Sequence, residues 1–465
     1  MGKNGVAFLR GCARVHPRCP RGAIPNCKAH RALGSLLESI GSRMKILIHE
    51  PDHAGHRMTF VRHLIPAFAE LADELHVSVT AQALNTPEYK TQVAPLADQF
   101  SLIESPPISH GGLLGFARSK MTTLCDVARK VKADHLIVPF GDGLVQWTGV
   151  LGKSICNLRW RGAHAEALML RGGYGYPGLG NRERRKTVID TALSGRSPWK
   201  QIHYLDPLSY EYVSSLGTDL ARRAELMPDP IDAWQSVSKV EARKRLGIGV
   251  EGRYIGCVGA MTPIKGVDLL VKAFAAARAA SGDRLLLVGK MDNTVRSLVQ
   301  QDMAELAKND RIVVIDRYVS DEELSLAVDA MDVVCTPYPN HIGSASIVIR
   351  GAAARRPVLA QAFGWMGMVV PRFGLGWTCE VRDRDTFSGA IQRALAGAEY
   401  YDFGPSVRSF VNFHTVPNFI SHWTRYTRER LGKGPPPGML SWDDVLSAEQ
   451  NTPAPMQIPL PRVRA

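Results

Sequence analysis

Between Tyr254 and Val381 strand, glycine turn and helix recur in an order that leaves few alternatives to a parallel sheet with crossover helices. YIGCVG (Tyr254 to Gly259) is an apolar run that predicts a buried strand. AMTPIKG follows it. In VDLLVKAFAAARAA, Leu269, Leu270, Ala273 and Phe274 share one helical face. RLLLVGK (Arg284 to Lys290), RIVVID (Arg311 to Asp316) and DVVCTPY (Asp332 to Tyr338) predict three more strands, each followed by a helical segment. Such sheets bind ligands beyond the carboxyl ends of their strands. The residues there are Gly259 and Lys265, Gly289 and Lys290, Arg317, and the segment from Tyr338 to Ser346. Glycines, lysines and an arginine at these ends suit a phosphorylated ligand. Gly343 to Ser346 open a predicted helix whose amides, with the Ser344 and Ser346 hydroxyls, form an anion site.

These segments resemble the second domain of the family-4 (group 1) glycosyltransferases. The resemblance rests on VGAMTPIKG, LLVGK, DRYVSDEEL (Asp316 to Leu324), AMDVVCTPY (Ala330 to Tyr338) and RRPVLA (Arg355 to Ala360), in family order and spacing. MPDPID (Met227 to Asp232) stands where the family links its two domains. The resemblance implies a GT-B fold: α/β, two doubly wound Rossmann-like domains facing across a cleft. It implies transfer of a sugar, with retention, from a nucleotide-sugar to an acceptor. Donor contacts would come from Gly259, Lys265, Gly289, Lys290, Gly343, Ser344, Ser346 and Arg350.

The family's paired glutamates are replaced, the first by Ile342 and the second by Arg350, and the arginine of its Gly-Arg-Leu turn by Ala260. Arg350 is therefore expected to meet phosphate rather than ribose. A non-catalytic nucleotide- or carbohydrate-binding protein of the same fold is the alternative.

Upstream, KILIHE (Lys45 to Glu50), LHVSVTA, FSLIES, DHLIVPF, KSICNLRW (Lys153 to Trp160), KQIHYLD and RAELMPD predict a seven-stranded first domain. Its first helix carries Phe60, Leu64 and Phe68 on one stripe. The turn before that helix holds His53, His56 and Arg57, and these are the expected catalytic residues. A histidine exchanges protons near neutral pH, and an arginine neutralises a leaving phosphate. Asp142 in PFGDG is expected to point into the cleft. Arg159, Arg161, His164 and Glu166 are expected in a loop after a strand, and RGGYGYPGLG (Arg171 to Gly180) predicts a glycine-rich loop. No GxSxG elbow, HExxH helix or full Walker A motif is present.

The chain has 465 residues and a net charge of +13. Much of that excess lies in residues 1–43, which read as a disordered basic extension. The other boundaries read as an acceptor-side domain at 44–229, a donor domain at 230–402, a helix returning to the first domain at 403–431, and a proline-rich disordered tail at 432–465. No apolar run approaches the ~20 residues that span a bilayer. Cys12, Cys19 and Cys27 lack the paired spacing of a zinc motif, so no metal is expected. The other cysteines read as packed reduced thiols, which suits the cytoplasm. No cofactor is expected beyond the nucleotide-sugar co-substrate. The acceptor reads as a glycan, lipid or small molecule. Nucleic acid is not expected as a partner, and peripheral membrane contact stays open.

Overall fold

The computed structural model describes residues 43–52, 57–108, 112–151, 160, 162–170, 181–233, 235–277 and 280–450. The extension at 1–42 and the end of the tail at 451–465 lie outside them.

The first sheet holds β1 (Lys45–His49), β2 (Glu74–Thr80), β3 (Ser101–Ser105), β4 (His135–Val138), β5 (His164–Met169), β6 (Gln201–Tyr204) and β7 (Ala224–Leu226). Its order is β3-β2-β1-β4-β5-β6-β7, parallel throughout. The second sheet holds β8 (Arg253–Val258), β9 (Asp283–Val288), β10 (Ile312–Ile315), β11 (Val333–Thr336), β12 (Val358–Gln361) and β13 (Gly376–Cys379). Its order is β10-β9-β8-β11-β12-β13, again parallel. Chain order reverses beside the first strand of each sheet, between β1 and β4 and between β8 and β11. Such reversal points are where open α/β sheets take ligands.

Parallel strands covered on both faces read as continuous apolar runs, and β8, β9 and β11 do so with almost no exposure. The fifth strand differs from expectation. It is HAEALM at 164–169, while residues 153–159 of the predicted strand lie outside the described residues. His164 and Glu166 are therefore strand residues.

Helix α1 (Arg57–Ala69) buries Phe60, Leu64 and Phe68 against the first sheet. Its outer side is covered as well, by α4 (Val416–Arg430), which returns from the second domain; Phe60 and Phe419 rings lie 5.3 Å apart. Helices α2 (Gly112–Val131) and α3 (Ser346–Ala353) flank the two reversal points. The chain crosses between domains at two places that touch each other. Ile231 N donates to His414 O at 2.9 Å, and Asp229 N to His414 Nδ1 at 3.0 Å.

The tail expectation is corrected for its first part. Residues 442–450 form helix α5 (Trp442–Gln450), and Trp442 is buried between Phe373 and Phe413 with ring centroids 5.5 and 5.3 Å away. Ser441 and Asp444 cap this helix reciprocally, and Asn418 holds Leu440 through both backbone groups. One large aromatic ring with a good cap outweighs a composition otherwise poor in core residues. Cys125, Cys257, Cys335 and Cys379 are buried free thiols. No helix of the described residues is long and apolar enough to cross a membrane.

Candidate active site

At the second sheet's reversal point the strand ends are pressed together. Gly289 has φ +136°, and a Cβ there would lie 1.8 Å from Gly259 O. Gly266, at φ +66°, has Pro337 O only 2.2 Å from where a Cβ would stand. These positions admit only glycine. The effect is to bring the loops after β8, β9 and β11 to one spot. Lys265 reaches back over it: its Nζ stands 3.3 Å from the position of a Cβ on Gly259 and 5.4 Å from the Tyr338 ring. Lys265 makes no ion pair among the described residues. Lys290 is exposed beside it and also makes none there.

Helix α3 begins at Ser346, and Ala345 at its N-cap offers no side-chain oxygen to its first amides. Ser344 is used otherwise than expected: its hydroxyl donates to Asp229 Oδ2 at 2.6 Å, fastening this loop to the domain crossing. Arg350 is buried within α3. Ile342 O accepts from Trp365 N at 3.0 Å. Gly343 meets the other domain, since a Cβ there would be 3.1 Å from Leu170 O, just past the end of β5. The C-terminal edges of the two sheets therefore face each other at close range.

On the first-domain side, Arg57 is not free to meet phosphate. It is buried, donates to Glu50 Oε1 at 2.9 Å, pairs with Asp52 at 3.2 Å and lies 3.4 Å over the Phe140 ring. These contacts tie Arg57, at the start of α1, to the residues that follow β1. His53 and His56 themselves, Arg159, Arg161 and the loop at 171–180 lie outside the described residues.

The sequence reading missed His49, Glu50 and Lys120, all buried at this reversal point. Burial pushes the Glu50 carboxyl up to about 7, although Arg57 pulls the other way. Burial, helped by the Lys120 charge, pushes His49 down to about 3. Burial also lowers Lys120, with Arg57 adding to the effect. The available signal was KILIHE itself: a histidine and a glutamate ending an apolar strand at a topological switch. Groups shifted in this way by burial and specific neighbours are a common mark of functional sites.

Residues 252–397 match the family model described as Glycosyl transferases group 1. D-inositol 3-phosphate glycosyltransferase of Geodermatophilus obscurus is 26% identical over 230 residues, covering 47% of this chain and 51% of the relative. The protein of the same name from Mycobacteroides abscessus is 29% identical over 198 residues, covering 42% and 41%. The chain thus spans about half the length of the curated relatives it matches. Among solved structures, HepE of Anabaena with UDP and glucose matches with TM-score 0.54 at 14% identity, over 88% of this chain and 97% of that one. Sucrose-phosphate synthase of Thermosynechococcus elongatus matches with TM-score 0.58 at 18% identity, over 88% and 98%. Residues 252–397 are thus similar to the group 1 glycosyltransferases, and the two parallel sheets have the GT-B fold of the solved structures they match.

Proposed function

We propose that this protein transfers a sugar from a nucleotide-sugar to an acceptor hydroxyl, with retention and without a metal in the transfer step. The observation that carries this reading is Lys265, a cation without an acidic partner among the described residues, held over the glycine-lined ends of β8 and β9. The donor diphosphate would lie against Lys265, the Gly259 turn and the amides that open α3, with Lys290 at its edge. Arg350 is buried in the middle of α3, so it would act by adding positive charge near the diphosphate. In the transfer, the bond from the anomeric carbon to the phosphate oxygen breaks and the acceptor oxygen bonds to that carbon. The acceptor proton passes to the departing diphosphate. His53 and His56, which lie in sequence between the paired Asp52 and Arg57, would exchange that proton with solvent.

The donor to try first is UDP-glucose, because the structural neighbour HepE is described with UDP and glucose. An inositol phosphate is the acceptor to try first, after the names of the curated relatives. Glycan, lipid and other small-molecule acceptors follow. Cytoplasmic location is part of the proposal.

The test is turnover of a panel of nucleotide-sugars, followed as nucleotide release. His53→Ala or His56→Ala should lower kcat while leaving the donor Kd within about twofold. A second reading, a non-catalytic binding protein, draws on Ile342 and Arg350 standing in place of the two glutamates. Tight binding of a nucleotide-sugar with no turnover of any donor would favour it.

A further inference from the structure

One face of the first sheet carries a polar cluster that transfer of a sugar does not use. Side chains alternate across a strand, so His135 with Ile137, Glu166 with Leu168, His203 with Leu205, and Glu225 with Met227 all face α4. On each strand the residue nearer the carboxyl end is apolar and joins the core with Phe419 and Trp423. The residue nearer the amino end is a histidine or a glutamate.

Three imidazoles converge on one carboxylate there. His164 Nε2 lies 2.8 Å from Glu166 Oε1, and His135 Nε2 lies 3.3 Å from the same oxygen. His203 Nε2 lies 2.8 Å from the other oxygen, Oε2. One ligand atom from each of His135, His164 and Glu166 falls within 4.8 Å of the others. His135 is fully buried, yet its Nε2 makes no hydrogen bond. Its Nδ1 stands 2.7 Å from Thr427 Oγ1. In the tautomer that donates Nδ1–H to that hydroxyl, Nε2 turns a lone pair toward the carboxylate, the orientation a metal ligand needs.

We propose that His135 Nε2, His164 Nε2 and Glu166 Oε1 bind a divalent transition-metal ion of the zinc class. Two imidazoles and a carboxylate are a donor set that zinc accepts, with a solvent molecule filling the fourth position. Bonds of about 2.0–2.1 Å in a tetrahedron put ligand atoms roughly 3.3 Å apart. The His135 contact already has that spacing, and the His164 contact would open by about 0.5 Å.

The outer partners have the arrangement that metal sites use to fix their ligands. Thr427 orients His135, His203 holds the second Glu166 oxygen, and Tyr426 stacks on His164 with ring centroids 3.4 Å apart. Solvent reaches the site along His164, whose side chain is 18% exposed. Such an ion would tie β4 to β5 and, through Thr427 and Tyr426, seat the returning helix α4. It is separate from the transfer chemistry: His135 begins β4, and the loop at the cleft starts four residues on, about 13 Å along the strand.

The test uses the full chain, untagged and purified without chelator, then dialysed against Zn2+ and analysed for metal, with Co2+ as a spectroscopic probe. About one equivalent of Zn2+ and a tetrahedral Co2+ absorption spectrum are expected. His135→Asn and His164→Asn should each weaken Zn2+ binding by more than about 100-fold, beyond the 10–100-fold typical of outer-shell changes. Glu225→Gln, which lies outside the ligand set, should retain the ion. A wild-type protein that binds no stoichiometric metal overturns the proposal, as does an unchanged affinity in both asparagine variants. The wild-type measurement decides the matter even if the variants fail to fold.

Discussion

Replacing Lys265 isolates the electrostatic contribution of the donor site, because this side chain does so little else. It is half-buried, makes no ion pair among the described residues, and its nearest aromatic neighbour is the Tyr338 ring at 5.4 Å. A cation–π contact at that range is worth about 0.5 kcal/mol. Lys265→Met should therefore change folding stability by roughly 0.5 kcal/mol or less. Its value to a bound diphosphate is larger. Two unit charges 4 Å apart at a partly desolvated surface attract by about 4 kcal/mol, before the cost of stripping water from both. A charge-assisted hydrogen bond retains about 1.5–3 kcal/mol of this. The Kd for a nucleotide-sugar should thus rise about 10- to 150-fold, at roughly 1.4 kcal/mol per decade. Calorimetric titration of UDP-glucose and UDP at two salt concentrations measures it. The wild-type protein should lose affinity with salt more steeply than the variant, and Lys265→Arg should keep most of the binding. A Kd for Lys265→Met within twofold of wild type would refute the reasoning.

Other positions give independent tests. Gly289→Ala places a Cβ 1.8 Å from Gly259 O, so β8 and β9 must part at their ends; urea denaturation should show a loss above about 2 kcal/mol, with donor binding weakened. Trp442→Ala should cost about 3–5 kcal/mol and release the segment after Gly438 to limited proteolysis. Ser344→Ala removes the 2.6 Å bond to Asp229; a loss of about 1–3 kcal/mol with donor affinity little changed is expected. Acid should destabilise the fold. His49 and His414 are each pushed down to about 3, chiefly by burial, so the unfolded chain takes up their protons first as pH falls through 6.5. Glu50, pushed up to about 7, acts in the opposite sense, favouring the fold as pH drops from 7 toward 4.5. Between pH 7 and 5 the two histidines lose about 4 kcal/mol together and Glu50 returns about 2. A net fall of about 1–2 kcal/mol is expected in urea titrations; stability that rises over this interval would contradict neutral buried histidines.

The second domain was legible because its strands obey a single rule. β8, β9 and β11 are apolar on both faces, and the glycines after them mark the turns. The first domain breaks that rule where its strands carry charge. His164 and Glu166 read as loop residues after a strand, yet both lie in β5, and three imidazoles surround the Glu166 carboxylate. Burial alone would raise its carboxyl, but those imidazoles hold it well below the usual range. The imidazoles that make this tolerable come from three strands, β4, β5 and β6, and His135 is in turn held by Thr427, 292 residues along the chain. Nothing local records them. Arg57 was legible as a cleft residue but not as the partner of Glu50, since ion pairing across a turn depends on side-chain direction. In the same way Ser344 reads as an anion ligand until Asp229 is seen beside it. The helix at 442–450 had a signal, Ser441 and Asp444 flanking Trp442, that the surrounding prolines concealed.

The measurement that bears most directly on the donor-site account is a crystal structure of the full chain soaked with UDP-glucose. The account predicts a diphosphate between the two sheets, within hydrogen-bond distance of Lys265 Nζ and over the Gly259 turn. A nucleotide bound anywhere else, or an open cleft at saturating UDP-glucose with Lys265 still facing solvent, would contradict it.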